Sequence, residues 1–197
     1  MSGFLIRSTT KKESALTWRI ANLHITTKEH PLPPTSLVLS LEDFAAGLPP
    51  AGRLMALDVG TKTIGIAISD TTRMVASGLE TLQRVKFGVD AAHLIARAAT
   101  HQIVGVVIGL PVNLDGTSGP RVQSTRAFAA NLGPRLSLPM LLWDERLSTV
   151  AAERSLLEAD ASRKRRKEVI DKVAAVIILQ GALERLRELG RSTASGM

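Results

Sequence analysis

Three carboxylates occupy positions where a carboxylate is costly unless something offsets its burial. Asp58 lies near the end of the apolar segment 53–59, Glu145 follows the apolar run that ends in Trp143-Asp144, and Asp171 sits in a helix otherwise markedly apolar from Val169 to Leu179. Such a group needs a partner, a hydrogen bond or a bound cation. Taken singly, each has an ordinary structural alternative. Asp58 could serve the Gly60-Thr61-Lys62 turn, Glu145 could pair with Arg146 or Lys172, and Asp171 could complement the positive end of its helix. Together, three acidic groups on two strand ends and one helix make a hard, all-oxygen donor set suited to Mg²⁺ or Mn²⁺. The chain has no cysteine and four histidines, of which His24 and His30 fall in an N-terminal extension and leave only His93 and His101, so zinc is disfavoured. Asp171 shares a helix face with Ala174, Ala175 and Ile178, and these small neighbours let the helix approach a sheet closely.

The second signal is basic. Arg163, Lys164, Arg165, Arg166 and Lys167 are consecutive and stand just before the helix that carries Asp171. A charge run is usually solvated surface, but cations a turn or two from an acidic metal site can hold phosphates where the metal acts. Lys62, Arg121 and Arg126 are further candidates for phosphate contact. Asn113, Asp115, Gly116 and Thr117 have the composition of a substrate loop, although Asp115-Gly116 is also good turn chemistry.

Composition bounds the partners. Lys plus Arg number 25 against 18 Asp plus Glu, a net charge of +7, and the pI near 10.4 suits a polyanion such as nucleic acid. The missing cysteines exclude disulfides, thiolate zinc sites, iron-sulfur clusters and Cys nucleophiles, and the missing tyrosines exclude a phosphotyrosyl-enzyme intermediate. With two Trp and four Phe, base stacking is limited, so recognition should lean on phosphates and shape and weaken steeply with salt. Apolar runs such as 103–110 and 173–179 are far below the roughly 18–20 residues of a membrane span. No secretory signal is visible at the N-terminus, and cytoplasm is the expected location.

The elements that must position these residues follow from periodicity. Residues 1–36 end in the breaker cluster His30-Pro31-Leu32-Pro33-Pro34 and read as a poorly ordered extension; residues 37–52 read as a short helix capped by Ser40 plus a linker. The body is expected over 53–190, with a flexible tail over 191–197. Segment 53–59 reads as a strand. In segment 63–69, Ile64, Ile66 and Ile68 alternate with Gly65 and Ala67, a strand with one small face that leaves room for something close. Residues 73–82 complete an antiparallel meander. A helix over 90–100 capped by Asp90, a buried strand over 103–110 and a helix from Pro120 to the Gly133-Pro134 stop come next. A strand over 138–144, a helix over 150–159 and a helix over 168–189, ended by Gly190, close the body. This is an α/β chain with a mixed sheet of five strands, an antiparallel three-stranded meander plus two parallel strands, flanked by helices.

Four stretches carry a resemblance: Leu57-Asp58-Val59-Gly60-Thr61-Lys62-Thr63-Ile64-Gly65, the run Val107 to Thr117, Trp143 to Thr149, and Asp171 to Leu179. In this order they resemble the YqgF family, also called RuvX-like and grouped with Holliday junction resolvases, of RNase H-like fold. The resemblance implies that Asp58, Glu145 and Asp171 form an acidic triad and that the substrate is nucleic acid. Maturation of the 5′ end of pre-16S ribosomal RNA is the usual role of that family. It also implies phosphodiester hydrolysis with two divalent ions, Mg²⁺ or Mn²⁺, with Asp58 as bridging ligand; Asp144 is an additional candidate, although adjacent strand residues point to opposite faces and a salt-bridge or capping role suits it better.

Three other functions remain open. Four-way DNA junction resolution uses the same chemistry on branched DNA and would usually call for a dimer, so monomer and homodimer both stand. A non-catalytic RNA-binding or transcription-associated module would bind without metal and be indifferent to Asp58→Asn. An actin-like or sugar-kinase ATPase shares the Asp-Val-Gly-Thr-Lys-Thr pattern, but such enzymes close two core domains over the nucleotide and this chain has room for one.

Overall fold

The computed structural model describes residues 38–111, 119–144 and 163–195, with side chains of the last helix described over 172–192. The elements are β1 (Val38–Leu39), α1 (Leu41–Gly47), β2 (Arg53–Val59), β3 (Thr63–Ser69), β4 (Ala76–Gln83), α2 (Phe87–Thr100), β5 (Ile103–Leu110), α3 (Pro120–Leu136), β6 (Met140–Asp144) and α4 (Arg163–Ser195). They build one six-stranded sheet in the order β1-β6-β5-β2-β3-β4. β2, β3 and β4 form the expected antiparallel meander, while β5 and β6 add in parallel beside β2.

The sheet exceeds the expected five strands by β1, in which Val38 and Leu39 pair with Met140 and Leu141. Two residues pairing in parallel with a strand a hundred positions away leave no local pattern. α1 forms as its cap predicts, with the Asp43 N–H donating to Ser40 Oγ at 3.1 Å. Its Phe44 is fully buried, so this segment is part of the core. Phe44 can reach β5 because Gly105 carries no side chain, where a Cβ would stand 3.0 Å from the ring's Cζ.

Strand alternation sorts the core into two layers. On one face Met55, Leu57, Ile64, Ile66, Val106 and Ile108 pack under α2 and α3; on the other Leu54, Ala56, Ala67, Val107, Leu141 and Trp143 pack under α1 and α4.

Three helices differ from expectation at their ends. α2 starts at Phe87 with Lys86 at its N-cap, not at Asp90. Starting there brings Phe87 edge-on to Phe128, 5.6 Å between centroids, and lets Asp90 reach back to accept the Val85 N–H at 3.1 Å. α3 passes through Gly133-Pro134 because Leu136 still buries against the sheet, and Ser137, at φ 55°, closes the last turn onto the Gly133 carbonyl at 2.9 Å. α4 runs from Arg163 through Gly190 to Ser195, longer than 168–189 at both ends. Its first positions are Lys and Arg, good helix formers, and one glycine costs only about 1 kcal/mol. The basic run therefore lies inside the helix and not before it. The helix expected over 150–159 lies outside the described residues.

Candidate active site at the carboxyl end of β2

Asp58 is half-buried and occupies the second-last position of β2. It alternates with Leu54 and Ala56, so it faces the α4 side of the sheet. Its neighbour across β3 is Gly65. On the other side, one position beyond the Leu57–Ile108 pair, stands Gly109, itself paired with Trp143. The carboxylate is thus flanked laterally by two residues without side chains. This is the small face expected of segment 63–69, and α4 is what approaches it. A Cβ at Gly78 would meet the Lys172 Cβ at 3.4 Å. Gly78 pairs with Ala67, which pairs with Ala56, two positions before Asp58.

Two contacts fix the course of α4. Lys172 lies over Gly78, level with Ala56 at the middle of β2, and Gln180 Oε1 accepts the Ala76 N–H at 3.0 Å, so the helix runs in the direction from the carboxyl end of β2 to its amino end. Trp143, 4% exposed, packs on Gly181, where a Cβ would be only 3.2 Å from its Cζ2. Asp171 precedes Lys172 and belongs to the part of α4 nearer the carboxyl end of β2; Ala175 and Ile178 of its stripe are buried against the sheet. Arg163, Lys164, Arg165, Arg166 and Lys167 open α4, ahead of Asp171. Asp144 alternates with Trp143 and so is placed on the opposite face of the sheet from it. Glu145 and the loop residues Asn113, Asp115, Gly116 and Thr117 lie outside the described residues. Among the described residues no three His, Cys, Asp or Glu side chains cluster as a metal site. The donor chemistry at Asp58, an oxygen ligand with glycines on both sides and no thiol or imidazole on its row, fits a hard dication.

Beside this strand end lies a cleft of about 220 Å³, lined by Val59, Gly60, Thr61, Arg84, Pro120, Arg121, Ser124 and Thr125. Arg121 is brought to the Gly60-Thr61 turn; Lys62 and Arg126 are exposed but do not line the cleft. Arg84 does line it, and sequence patterning had not singled it out. Its Nη1 donates to the Gly60 carbonyl at 2.7 Å, its Nε stands 3.5 Å from Asp90 Oδ2, and its guanidinium lies 5.5 Å from the Phe128 ring centroid. No local signal marks an arginine whose partners come from three other segments.

No described helix is long and apolar enough to cross a membrane. Residues 52–185 match the family described as "RuvX: Holliday junction resolvase". A protein of Rhodobacter capsulatus named "Putative pre-16S rRNA nuclease" is 61% identical over 152 residues, 77% of this chain and 96% of the relative. One of Rhodopseudomonas palustris with the same name is 56% identical over 156 residues, 79% of this chain and 96% of the relative. Among solved structures, Thermus thermophilus RuvC in complex with a Holliday junction substrate aligns with TM-score 0.47 and 12% identity, covering 66% of this chain and 91% of that one. The yeast mitochondrial Holliday junction resolvase aligns with TM-score 0.47 and 11% identity over 77% of this chain and 86% of that one.

Proposed function

The chain belongs to the RuvX family, a family of nucleases that hydrolyse phosphodiester bonds, and from that premise we propose that it trims the 5′ end of pre-16S rRNA at the carboxyl end of β2. The observation that carries this reading is the placement of Asp58 between Gly65 and Gly109 on the sheet face covered by the helix of Asp171. Asp58, Asp171 and Glu145 would hold Mg²⁺ or Mn²⁺. Bound there, the cation supplies Lewis acidity at the scissile phosphate and charge neutralisation for the leaving oxygen.

The chain's own residues do the rest. Asp58, Glu145 and Asp171 act as oxygen donors and not as general acids or bases. Lys164 and Lys167 at the start of α4, with Arg121 at the cleft, hold the phosphates on either side of the bond to be cut. Arg126, Lys62 and the remaining cations of 163–167 add a diffuse positive field that gathers polyanion without reading its sequence. The small side chains under α4 keep the helix close to Asp58, so the donors are set by rigid elements. The reaction is assigned to the cytoplasm, where ribosomal RNA is matured.

The family's description favours a second substrate, a four-way DNA junction, at the same site. The deciding experiment presents purified protein with end-labelled pre-16S leader RNA and with a four-way junction, in Mg²⁺, Mn²⁺ or EDTA, beside Asp58→Asn and Asp171→Asn. Metal-dependent cleavage that both substitutions abolish, with binding retained, is the expected result, and the better substrate names the role. Binding without cleavage by wild type and variants alike would replace the nuclease reading with an RNA-binding module.

A further inference from the structure

The turn that follows Asp58 is tied down at both ends by one residue. The Lys62 carbonyl accepts the Arg84 backbone N–H at 2.9 Å, and the Gly60 carbonyl accepts Arg84 Nη1 at 2.7 Å. Within the turn, the Gly60 N–H donates to the Thr63 carbonyl at 2.9 Å. A Cβ at Gly60 would stand 3.0 Å from that same carbonyl, so the turn is closed too tightly for a side chain. We propose that Arg84 is a positioning residue of the nuclease, holding the Gly60–Lys62 turn and through it the end of β2 where Asp58 stands. This rests on the reading of Asp58 as an active-site carboxylate.

The supports of Arg84 explain why it can do this. Asp90 is 1% exposed and places one oxygen 3.5 Å from Arg84 Nε while the other accepts the Val85 N–H at 3.1 Å, so the carboxylate that holds the guanidinium is itself anchored to the chain beside it. Phe128 of α3 lies under the guanidinium and is braced edge-on by Phe87 of α2. The arginine is therefore fixed by the β4–α2 connection, by α2 and by α3 before it touches the turn. A long cationic side chain on a surface loses rotamer entropy when it is fixed; here Asp90 and Phe128 impose that order in the fold. A guanidinium already engaged by a carbonyl, a carboxylate and a ring has less to offer a phosphate than exposed Arg121 across the cleft. Misplacing a reacting group by about 1 Å can cost on the order of a hundredfold in rate. The two hydrogen bonds to the turn guard against a displacement of that size.

The test compares Arg84→Gln and Arg84→Lys with wild type in leader-RNA cleavage, with kcat and KM separated, and in amide exchange of Gly60 by NMR. Arg84→Gln is expected to lower kcat by about ten- to a hundredfold, leave KM and the salt dependence of binding within about twofold, and speed exchange at Gly60. Arg84→Lys, which keeps a donor able to reach one carbonyl, should recover part of the kcat. A raised KM with a shallower salt slope would make Arg84 a phosphate contact and overturn the proposal. A lowered melting temperature with unchanged kcat below it would reduce Arg84 to a stability role and overturn it equally. Wild type that cleaves nothing sinks the nuclease reading and the positioning role with it; Gly60 exchange then still decides whether Arg84 clamps the turn.

Discussion

Gly105→Ala should destabilise the protein by about 1–2 kcal/mol, and deleting the Phe44 ring should remove that cost. The new Cβ would stand 2.8 Å from Leu48 Cδ2 and 3.0 and 3.1 Å from Cζ and Cε2 of Phe44. Leu48 can turn its methyl aside. Phe44 cannot, because it is fully buried among Leu54, Val107, Leu141 and Leu183. Overpacking of this kind costs about 1–3 kcal/mol, while exchanging glycine for alanine in a strand returns about 0.5–1 kcal/mol. Phe44→Ala alone should cost about 3–5 kcal/mol. In the double variant the methyl group enters the space the ring has left, so the Gly105 substitution becomes neutral or slightly stabilising. The coupling between the two sites should be about 1–3 kcal/mol. Urea unfolding of the four proteins measures it from the midpoints, with equal m values required. Cleavage below the melting range should not change, because Gly105 is level with Leu54, four positions or about 13 Å from Asp58. Additive effects within about 0.5 kcal/mol would refute the seating of α1 on β5.

Asp70→Asn tests the β3–β4 turn. Hydrogen bonds from Thr72, Val75 and Met74 hold the Asp70 carboxyl down from 3.8 to about 2, so its stabilisation is complete above about pH 4 and vanishes as pH falls through about 2. The gap in melting temperature between wild type and Asp70→Asn should follow that course, and a gap that widens on acidification would contradict it. Glu80→Gln serves as a control on the α2 face. The Arg97 hydrogen bonds hold the Glu80 carboxyl below its ordinary range, followed by His93, but the pair is partly exposed, so the change should cost no more than about 1 kcal/mol and leave cleavage unaltered. Arg121→Ala should weaken RNA binding and lower the slope of log K against log salt by about 1, measurable by filter binding at several ionic strengths; an unchanged slope would remove Arg121 from the phosphate contacts.

The sheet was legible where the local pattern had a single meaning. Ile64, Ile66 and Ile68 against Gly65 and Ala67 can only be a strand with a large and a small face, and the β-branched run 103–110 is a strand buried on both faces. What escaped depended on distant partners. Val38 and Leu39 become a strand through Met140 and Leu141, and Phe44 becomes core through Gly105. Asp90 has the chemistry of an N-cap, but the Phe87–Phe128 contact moves the helix start ahead of it. At the site, the strand end and small face around Asp58 were readable because they are consecutive in the chain. Arg84 was not, because its meaning lies in Gly60, Asp90 and Phe128.

The course of α4 also sets an order in time. A chain is made from its N-terminus at about 5–20 residues per second, and Asp58 emerges on the second strand, whereas α4 follows all six strands of the sheet. A product that stops after β6 has the strand carboxylate and neither α4 nor the Asp171 it carries. Under the proposed mechanism such a fragment gathers RNA on its exposed cations but lacks a donor for cutting it. On the proposed reading, a cell that makes this enzyme beside the ribosomal RNA it would trim is thereby protected from half-made copies.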